Sequence, residues 1–525
     1  MKINNSEIEI NSDFEKALEL MEMPVGNVFI TGRAGTGKST LLELYRETTK
    51  KNVAVLAPTG VAAVNVRGQT IHSFFGFKPD ITLQTVKKSY KNKGKNGLYK
   101  NLDAIVIDEI SMVRADLMDC VDEFLRLNAK SGKLPFGGVK MIFIGDLFQL
   151  PPVVTGEERQ MFKEVYESPY FFSAKVFDPT LFELVELNKV YRQNDNKFIE
   201  ILNAVRNRSI DDAGLQRLNT RVDANFDPNA SEMFIHLTTT NRMAEEVNNR
   251  EIAKLPGKLY HLEGELWGNF DTRSMPAPLN LTLKIGSQVM LTNNDRAGRW
   301  VNGTIGKVTE IKRDKKTEEE VVWVELNDGE VVDVGPNTWE MFRFSFDQRR
   351  SRLESETTGS YTQYPLILAW AVTIHKSQGK TFNKVVIDLG SGSFAHGQSY
   401  VALSRCTSLE GIVLKRPVEK RDILMDWKVV KFLTSWQYGM AEEEMSLESK
   451  VKLIEEAIEN QVDLEMVYLK SDNTKSTRKI TPYRVGKMSY QSVEYIGVEG
   501  YCQVRGEDRV FRVDRILELK VGKLK

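Results

Sequence analysis

Near the N-terminus, Gly32-Arg33-Ala34-Gly35-Thr36-Gly37-Lys38-Ser39 has the residue types and spacing needed to wrap a triphosphate. Glycines let backbone N–H groups close round phosphate oxygens, and a helix starting at the end of the loop turns its positive end toward the same charge. On this reading Gly32, Ala34, Gly35, Thr36, Gly37 and Thr40 cradle ATP, Lys38 neutralises the β and γ phosphates, and Ser39 ligates Mg²⁺. Asp108 and Glu109 close a second apolar run, AIVIDE. Two adjacent carboxylates can divide the work, so Asp108 is assigned to the metal and Glu109 to the base that polarises the attacking water.

A third run, MIFIGD, delivers Gly145, Asp146 and then Gln149, ahead of Pro151-Pro152. A neutral amide at that point can hydrogen-bond both γ-phosphate and water, and so report whether hydrolysis has happened. Hydrolysis also needs positive charge against the transition state, and Arg192 in NKVYRQND and Arg405 in YVALSRCTS are the candidates.

These residues must be held by a sheet. The runs NVFITG, VAVLAPTG, AIVIDEIS and MIFIGD are apolar on both faces, which is the pattern of parallel strands carrying loops at their C-terminal ends. A second series is read in ELVELN, MFIHLTTTN, LAWAVTIHKS and KVVIDLG, so two α/β lobes are expected, over residues 1–180 and 181–439. Within the second, residues 291–362 turn to short Gly-punctuated strands such as TIGKVTEI and VVWVEL, the pattern of an inserted small β-barrel. In the first, residues 87–100 form a lysine-rich loop, with Lys87, Lys88, Lys91, Lys93, Lys95 and Lys100 beside Tyr90 and Tyr99. Residues 440–465 read as a connecting helix, and 466–525 as a final β-rich module.

The bulk numbers bound the function without naming it. At 525 residues the chain exceeds one ordinary core. Lys+Arg and Asp+Glu are both 72, so any basic surface has to be local. The three cysteines, Cys120, Cys406 and Cys502, show neither metal-ligand spacing nor a disulfide pattern. With no signal-peptide layout and no long apolar run, a cytoplasmic protein without membrane partners, monomeric in solution, is expected.

Taken in order, GRAGTGKST, APTGVAAVNVRGQTIHSFF, IDEISMV, GDLFQLPPV, LNKVYRQ, WVNGTIGKV, TIHKSQGKTF and YVALSRCTS resemble the Pif-type family of superfamily-one helicases, over roughly residues 10–430. The resemblance implies an α/β fold of two tandem RecA-like lobes, with a wedge insertion at about 78–100 in the first and the β-barrel insertion in the second. It also implies ATP-driven 5′ to 3′ movement on single-stranded DNA, unwinding at duplex junctions with quadruplex DNA as a further substrate, and a role in replication, repair or recombination. Lys38, Ser39, Asp108, Glu109, Gln149, Arg192, Gln378, Gly379 and Arg405 match the family's ATP-site motifs. Thr59, Thr70, His72, Ser73 and Phe74, with Thr373, His375 and Lys376, match its DNA loops. Phe14 departs from the pattern, standing where the family often has an adenine-reading glutamine.

A strand held without sequence preference needs hydroxyls, cations and stacking faces. GQTIHSFFGF offers these, with Phe74 as the candidate stacking ring, and the lysine loop would bind phosphates at the junction. The last module carries 13 Lys+Arg against 7 Asp+Glu. Its GYCQVRGEDRVFRVDRILEL resembles the WYL-type domain, a small β-barrel linked to nucleic-acid or ligand binding. Tyr495, Arg505, Arg509, Arg512 and Arg515 fall on that pattern, while Glu494 and Ile496 replace its tryptophan and leucine; Arg505 and Arg509 are the residues expected on DNA. Two other readings stay open: a regulator in which ATP switches a nucleic-acid-binding state, and a recombination-type helicase of the same superfamily.

Overall fold

The protein is described by a computed structural model covering residues 2–3, 6–7, 10–89, 97–154, 156, 158–193, 195–227, 232–295, 297–313, 320–348, 350, 352–390, 392–393, 395–471, 474–490 and 493–522. It divides into a large unit, holding 1–206 and 210–424, and a C-terminal unit from Met425 onward that also takes in 207–209. Among the described residues no helix is long and apolar enough to cross a membrane.

The large unit contains two parallel sheets. The first has six strands, β1 (Asn27–Gly32), β2 (Val53–Ala57), β3 (Gln69–Thr70), β4 (Ala104–Ile107), β5 (Lys140–Gly145) and β6 (Phe182–Leu187). They lie in the order β3-β2-β4-β5-β1-β6, every pair parallel. β4 and β5 are buried at every position, as the unbroken apolar runs require. Helix α1 (Ser12–Glu22) and helix α2 (Lys38–Thr48) cover one face, packing Phe14, Ala17, Met21, Leu41, Leu42 and Tyr45 onto Val28, Ile30 and Ile142.

β6 corrects the sequence reading. ELVELN was expected to open the second lobe, yet it pairs with β1 at the edge of the first sheet, Leu184 opposite Phe29 and Leu187 opposite Gly32. Burial of Phe182, Leu184, Val185 and Leu187 explains the choice. The first lobe therefore runs past residue 180.

The second sheet has four parallel strands, β7 (Ile235–Thr238), β8 (Ala371–Thr373), β9 (Val385–Asp388) and β10 (Ile412–Leu414), in the order β8-β7-β9-β10. Between β7 and β8 the chain is largely antiparallel strand, over a longer span than the 291–362 expected. A five-stranded sheet orders Val331–Val334, Glu320–Leu326, Ile305–Arg313, Gln288–Leu291 and Leu366–Leu368. A three-stranded sheet orders Glu265–Gly268, Arg352–Gln363 and Asn337–Asp347, and Tyr260–Glu263 pairs with Asn280–Leu283. Among the strands outside the expected span, Glu265–Gly268 lacks the alternating pattern and is exposed throughout, whereas Asn280–Leu283 alternates.

The lysine-rich segment is not a plain loop: Leu83–Ser89 is helical and carries Lys87 and Lys88, while Tyr99–Asn101 forms a short 3-10 turn. Tyr90, Lys91, Lys93 and Lys95 lie outside the described residues. The expected single connecting helix is two, Trp427–Glu444 and Leu447–Glu459, broken where the Ser446 hydroxyl caps the second by accepting from the Ser449 N–H. The C-terminal unit then forms a five-stranded antiparallel sheet in the order Glu507–Arg512, Val493–Cys502, Lys475–Tyr490, Leu464–Leu469, Ile516–Val521, around a core of Ile454, Leu464, Ile480, Val498 and Phe511. The three cysteines are buried free thiols.

Candidate nucleotide site

The loop between β1 and α2 needs backbone conformations that only glycine adopts freely. Gly35 and Gly37 have φ of 81° and 86°. A side chain at Gly35 would also meet Arg192 Cβ at 2.5 Å, and one at Gly37 would meet the Phe14 ring at 2.9 Å. Lys38 Nζ donates to the carbonyls of Gly32 (2.7 Å) and Arg33 (2.9 Å), spanning the mouth of the cradle. Burial pushes its ammonium below the usual lysine range, with Asp146 and Glu109 acting in the opposite sense.

The loop opens on a cleft of about 760 Å³ lined by both lobes. Ala34, Gly35, Thr36, Gly37, Lys38, Ser39, Thr40, Glu109 and Gln149 come from the first; Arg192, Gly379 and Arg405 arrive from beyond β6. Phe14 and Tyr191 also line it. Asp108 does not, although its carboxyl is close enough to be influenced by Lys38. Burial, then the neighbouring Glu109, pushes Asp108 up to about 7, and burial raises Glu109 as well. Glu109 sits at φ 50°, an uncommon conformation for a residue with a side chain, at the turn where β4 gives way to a 3-10 segment.

Gln378 ties the two lobes at the reacting end. Its Nε2 donates to Glu109 Oε2 (3.0 Å) and to Gln149 Oε1 (3.3 Å). Arg405 is 1% exposed and held by its own neighbourhood: Nε donates to Val401 O, Nη1 to the carbonyls of Ser377 and Lys380, and Nη2 to Ser404 Oγ. Burial, with Arg192 adding to it, pushes its guanidinium down to about 9. Arg192 Nη1 donates to Ser404 O at 3.1 Å, so both arginines are fixed by one turn.

Several residues of this machinery escaped the sequence reading. Arg206, at the end of helix Asn196–Arg206, bonds Asp146 Oδ1 at 3.0 Å, with both side chains out of solvent, and stacks over the Phe148 ring. Asp146 in turn accepts from Phe148 N and, at 3.5 Å, from Gln149 Nε2, so the ion pair sits behind the glutamine. Tyr400 Oη accepts from the Ala34 N–H (2.9 Å), and Gln193 Nε2 donates to Ser404 O and Cys406 O. Tyr400 lies inside the quoted YVALSR run, but nothing in the helix NKFIEILNAVR singles out its last arginine.

The residues matched to DNA loops are placed differently. Thr59 caps helix α3 (Gly60–Asn65) by accepting from Ala62 N, and Thr70 caps α4 (Ile71–Phe75) by accepting from Ser73 N. Thr59, Ser73, His375 and Lys376 are exposed, His72 is half-buried, and the buried Thr373 hydroxyl accepts from Lys376 N. Phe74 is a correction: it is 6% exposed, packed edge-on against Phe75, Tyr99 and Phe344, and so offers no face to a base. In the C-terminal unit Arg505 and Arg509 are exposed, Arg509 paired with Glu507, while Arg512 pairs with Asp514 and lies over Tyr495.

A phosphate-cradling loop whose cleft is completed by side chains from a second parallel-sheet lobe defines a two-lobed P-loop protein. The model of the PIF1-like helicase family matches residues 9–215, and that of the WYL domain matches residues 449–521. The ATP-dependent DNA helicase Pif1 of Bdellovibrio bacteriovorus is 33% identical over 440 residues, covering 82% of this chain and 93% of that one. Among solved structures, Bacteroides sp. Pif1 in complex with ADP-AlF4 matches with a TM-score of 0.74 at 35% identity, covering 82% of this chain and 98% of that one. Pif1 helicase from Candida albicans matches at 0.62 and 30%, covering 82% and 100%. The chain belongs to the PIF1-like helicase family.

Proposed function

We propose that the protein is an ATP-dependent DNA helicase that moves 5′ to 3′ along single-stranded DNA and separates duplex at a junction. The observation that carries the reading is the meeting of Lys38, Glu109 and Gln149 with Arg192 and Arg405 in one cleft formed by two lobes. Such a cleft senses nucleotide because its closed form depends on the γ-phosphate; loss of that phosphate releases the lobes.

Each residue then has a task. Lys38, now spread over two carbonyls, turns to the β and γ phosphates. Glu109 polarises the attacking water while Gln378 holds its second oxygen, and Gln149 bonds the same water or the γ-phosphate. Arg192 and Arg405 neutralise charge that develops in the transition state, an effect worth about 10³ to 10⁵ in rate. Ser39 and Asp108 are oxygen donors of the kind Mg²⁺ takes, and Asp108 and Glu109, both raised, are two adjacent carboxylates facing one lysine, so a further cation fits the charge. Bound there, Mg²⁺ supplies positive charge to the phosphates. Thr59, Thr70, His72 and Ser73 in the first lobe and Thr373, His375 and Lys376 in the second grip the strand in alternation. A cytoplasmic monomer is the state in which we expect this motor to work.

Lys38→Ala tests the assignment directly. DNA-stimulated ATP hydrolysis and unwinding should vanish while binding of single-stranded DNA is largely kept; strand separation at the normal rate would refute it. Duplexes with 5′ or 3′ tails separate a motor from an ATP-switched regulator, since only a motor displaces strands according to tail polarity.

A further inference from the structure

The stretch that follows Gly379 carries a cation that the nucleotide cleft does not use. The Lys380 backbone carbonyl helps to hold Arg405, while its Nζ, among the described residues, makes one hydrogen bond, to the amide oxygen of Asn302 at 2.5 Å. Asn302 belongs to the insertion, and its Nδ2 donates to Asn65 Oδ1 at 3.2 Å, across to the first lobe. Three side chains from three separate parts of the chain thus meet, and none is an acid. Burial pushes the Lys380 ammonium down to about 8, and among the described residues no carboxylate answers its charge. The insertion loop rests directly on the lysine stem: Gly303 has φ 103°, and a Cβ there would lie 3.2 Å from Lys380 Cβ. A partly desolvated cation with spare N–H donors, ringed by neutral amides, is a mismatch in a protein by itself and a match for an anion.

Its position says which anion. Asn65 is the last residue of α3, the helix that Thr59 caps, and Lys380 directly follows the stretch from Thr373 to Gly379. The cluster therefore bridges the ends of the two loops proposed to hold the strand, one from each lobe. We propose that Lys380, Asn302 and Asn65 form a binding site for one backbone phosphodiester of the single strand as it passes from the first lobe's loop to the second's. The proposal rests on the single-strand grip put forward above. The phosphate takes the two donors that Lys380 has left and the amide nitrogen of Asn65, and supplies the negative charge that the ammonium otherwise lacks.

Salt dependence distinguishes a phosphate contact from a packing contact. Each phosphate neutralised on a single strand contributes about 0.7 to the slope of log affinity against log salt. The full-length protein is titrated with a labelled oligothymidylate at several salt concentrations. Lys380→Met should make the slope shallower by about 0.7 and weaken binding about threefold at low salt. Lys380→Arg should keep the slope, and Asn302→Ala should weaken binding without changing it. A Lys380→Met protein with the wild-type slope overturns the site, whether or not its affinity falls. Loss of slope in Lys380→Arg as well would assign the effect to local collapse and overturn it equally. If the wild-type protein fails to bind oligothymidylate at all, the single-strand reading itself is wrong, which is a separate result.

Discussion

The nucleotide cleft and the strand-holding loops occupy the same two lobes but are built on opposite plans. In the cleft, side chains are buried and bonded to groups far away in sequence: Gln378 to Glu109 and Gln149, Arg206 to Asp146, Tyr400 to the Ala34 amide. In the loops, Thr59, Thr70 and Thr373 spend their hydroxyls on the next turn of their own backbone, and Thr59, Ser73, His375 and Lys376 face water. Chemistry on a phosphate needs donors fixed before the substrate arrives, whereas a grip that must open and close at every step is better made from local turns.

The contrast can be broken at several points, and the largest effect is expected in the cleft. Arg192→Ala should lower kcat for DNA-stimulated ATP hydrolysis about 10³-fold while KM for ATP changes little, measured by steady-state kinetics. If instead KM rises while kcat is unchanged, the arginine serves binding rather than the transition state.

Next comes the pair behind Gln149. Arg206→Met leaves Asp146 buried without its partner and should cost about 3 to 5 kcal/mol in denaturant unfolding. Adding Asp146→Asn should recover much of that stability without restoring kcat, because the carboxylate that orients the glutamine is gone. Full recovery of kcat in the double variant would show that the pair acts on stability alone.

The loops should give less. Thr59→Ala removes a helix cap worth about 1 kcal/mol, and weaker binding of single-stranded DNA is expected without loss of basal ATPase. Thr59→Ser keeps the hydroxyl and should behave as wild type, and an equal defect in both would implicate the methyl group instead. Smallest of all is Arg509→Ala in the C-terminal unit. Its pairing with Glu507 is exposed, so stability should change by about 1 kcal/mol or less. A shallower salt dependence of DNA binding is the signature if that module touches the strand.

The same contrast explains what could be read from the chain. Lys38, Glu109, Gln149, Arg192 and Arg405 sit in short motifs whose chemistry is local, and the structure brings them to one cleft. Arg206 owes its position to tertiary packing, which leaves no mark in its neighbours, whereas Gln193 lies inside the quoted LNKVYRQ run. Phe74 misled because an aromatic residue beside hydroxyls reads equally as a stacking platform or as core, and only packing against Phe344, 270 positions away, decides it. ELVELN misled for a related reason: an apolar run announces a strand but not which sheet it joins. The insertion's length was underestimated in part because one of its outer strands, Glu265–Gly268, is exposed throughout and carries no apolar alternation.

One feature of the second sheet bears on how the molecule is made. Its neighbouring strands β7 and β8 pair Leu237 with Val372, on either side of the whole insertion. During synthesis the first lobe has all six of its strands once Leu187 has emerged, but the second cannot join these two until the ribosome has passed Thr373. For that interval Ile235 and Leu237, both fully buried in the finished protein, are without either of their flanking strands, and the insertion must fold as a self-sufficient piece in the gap.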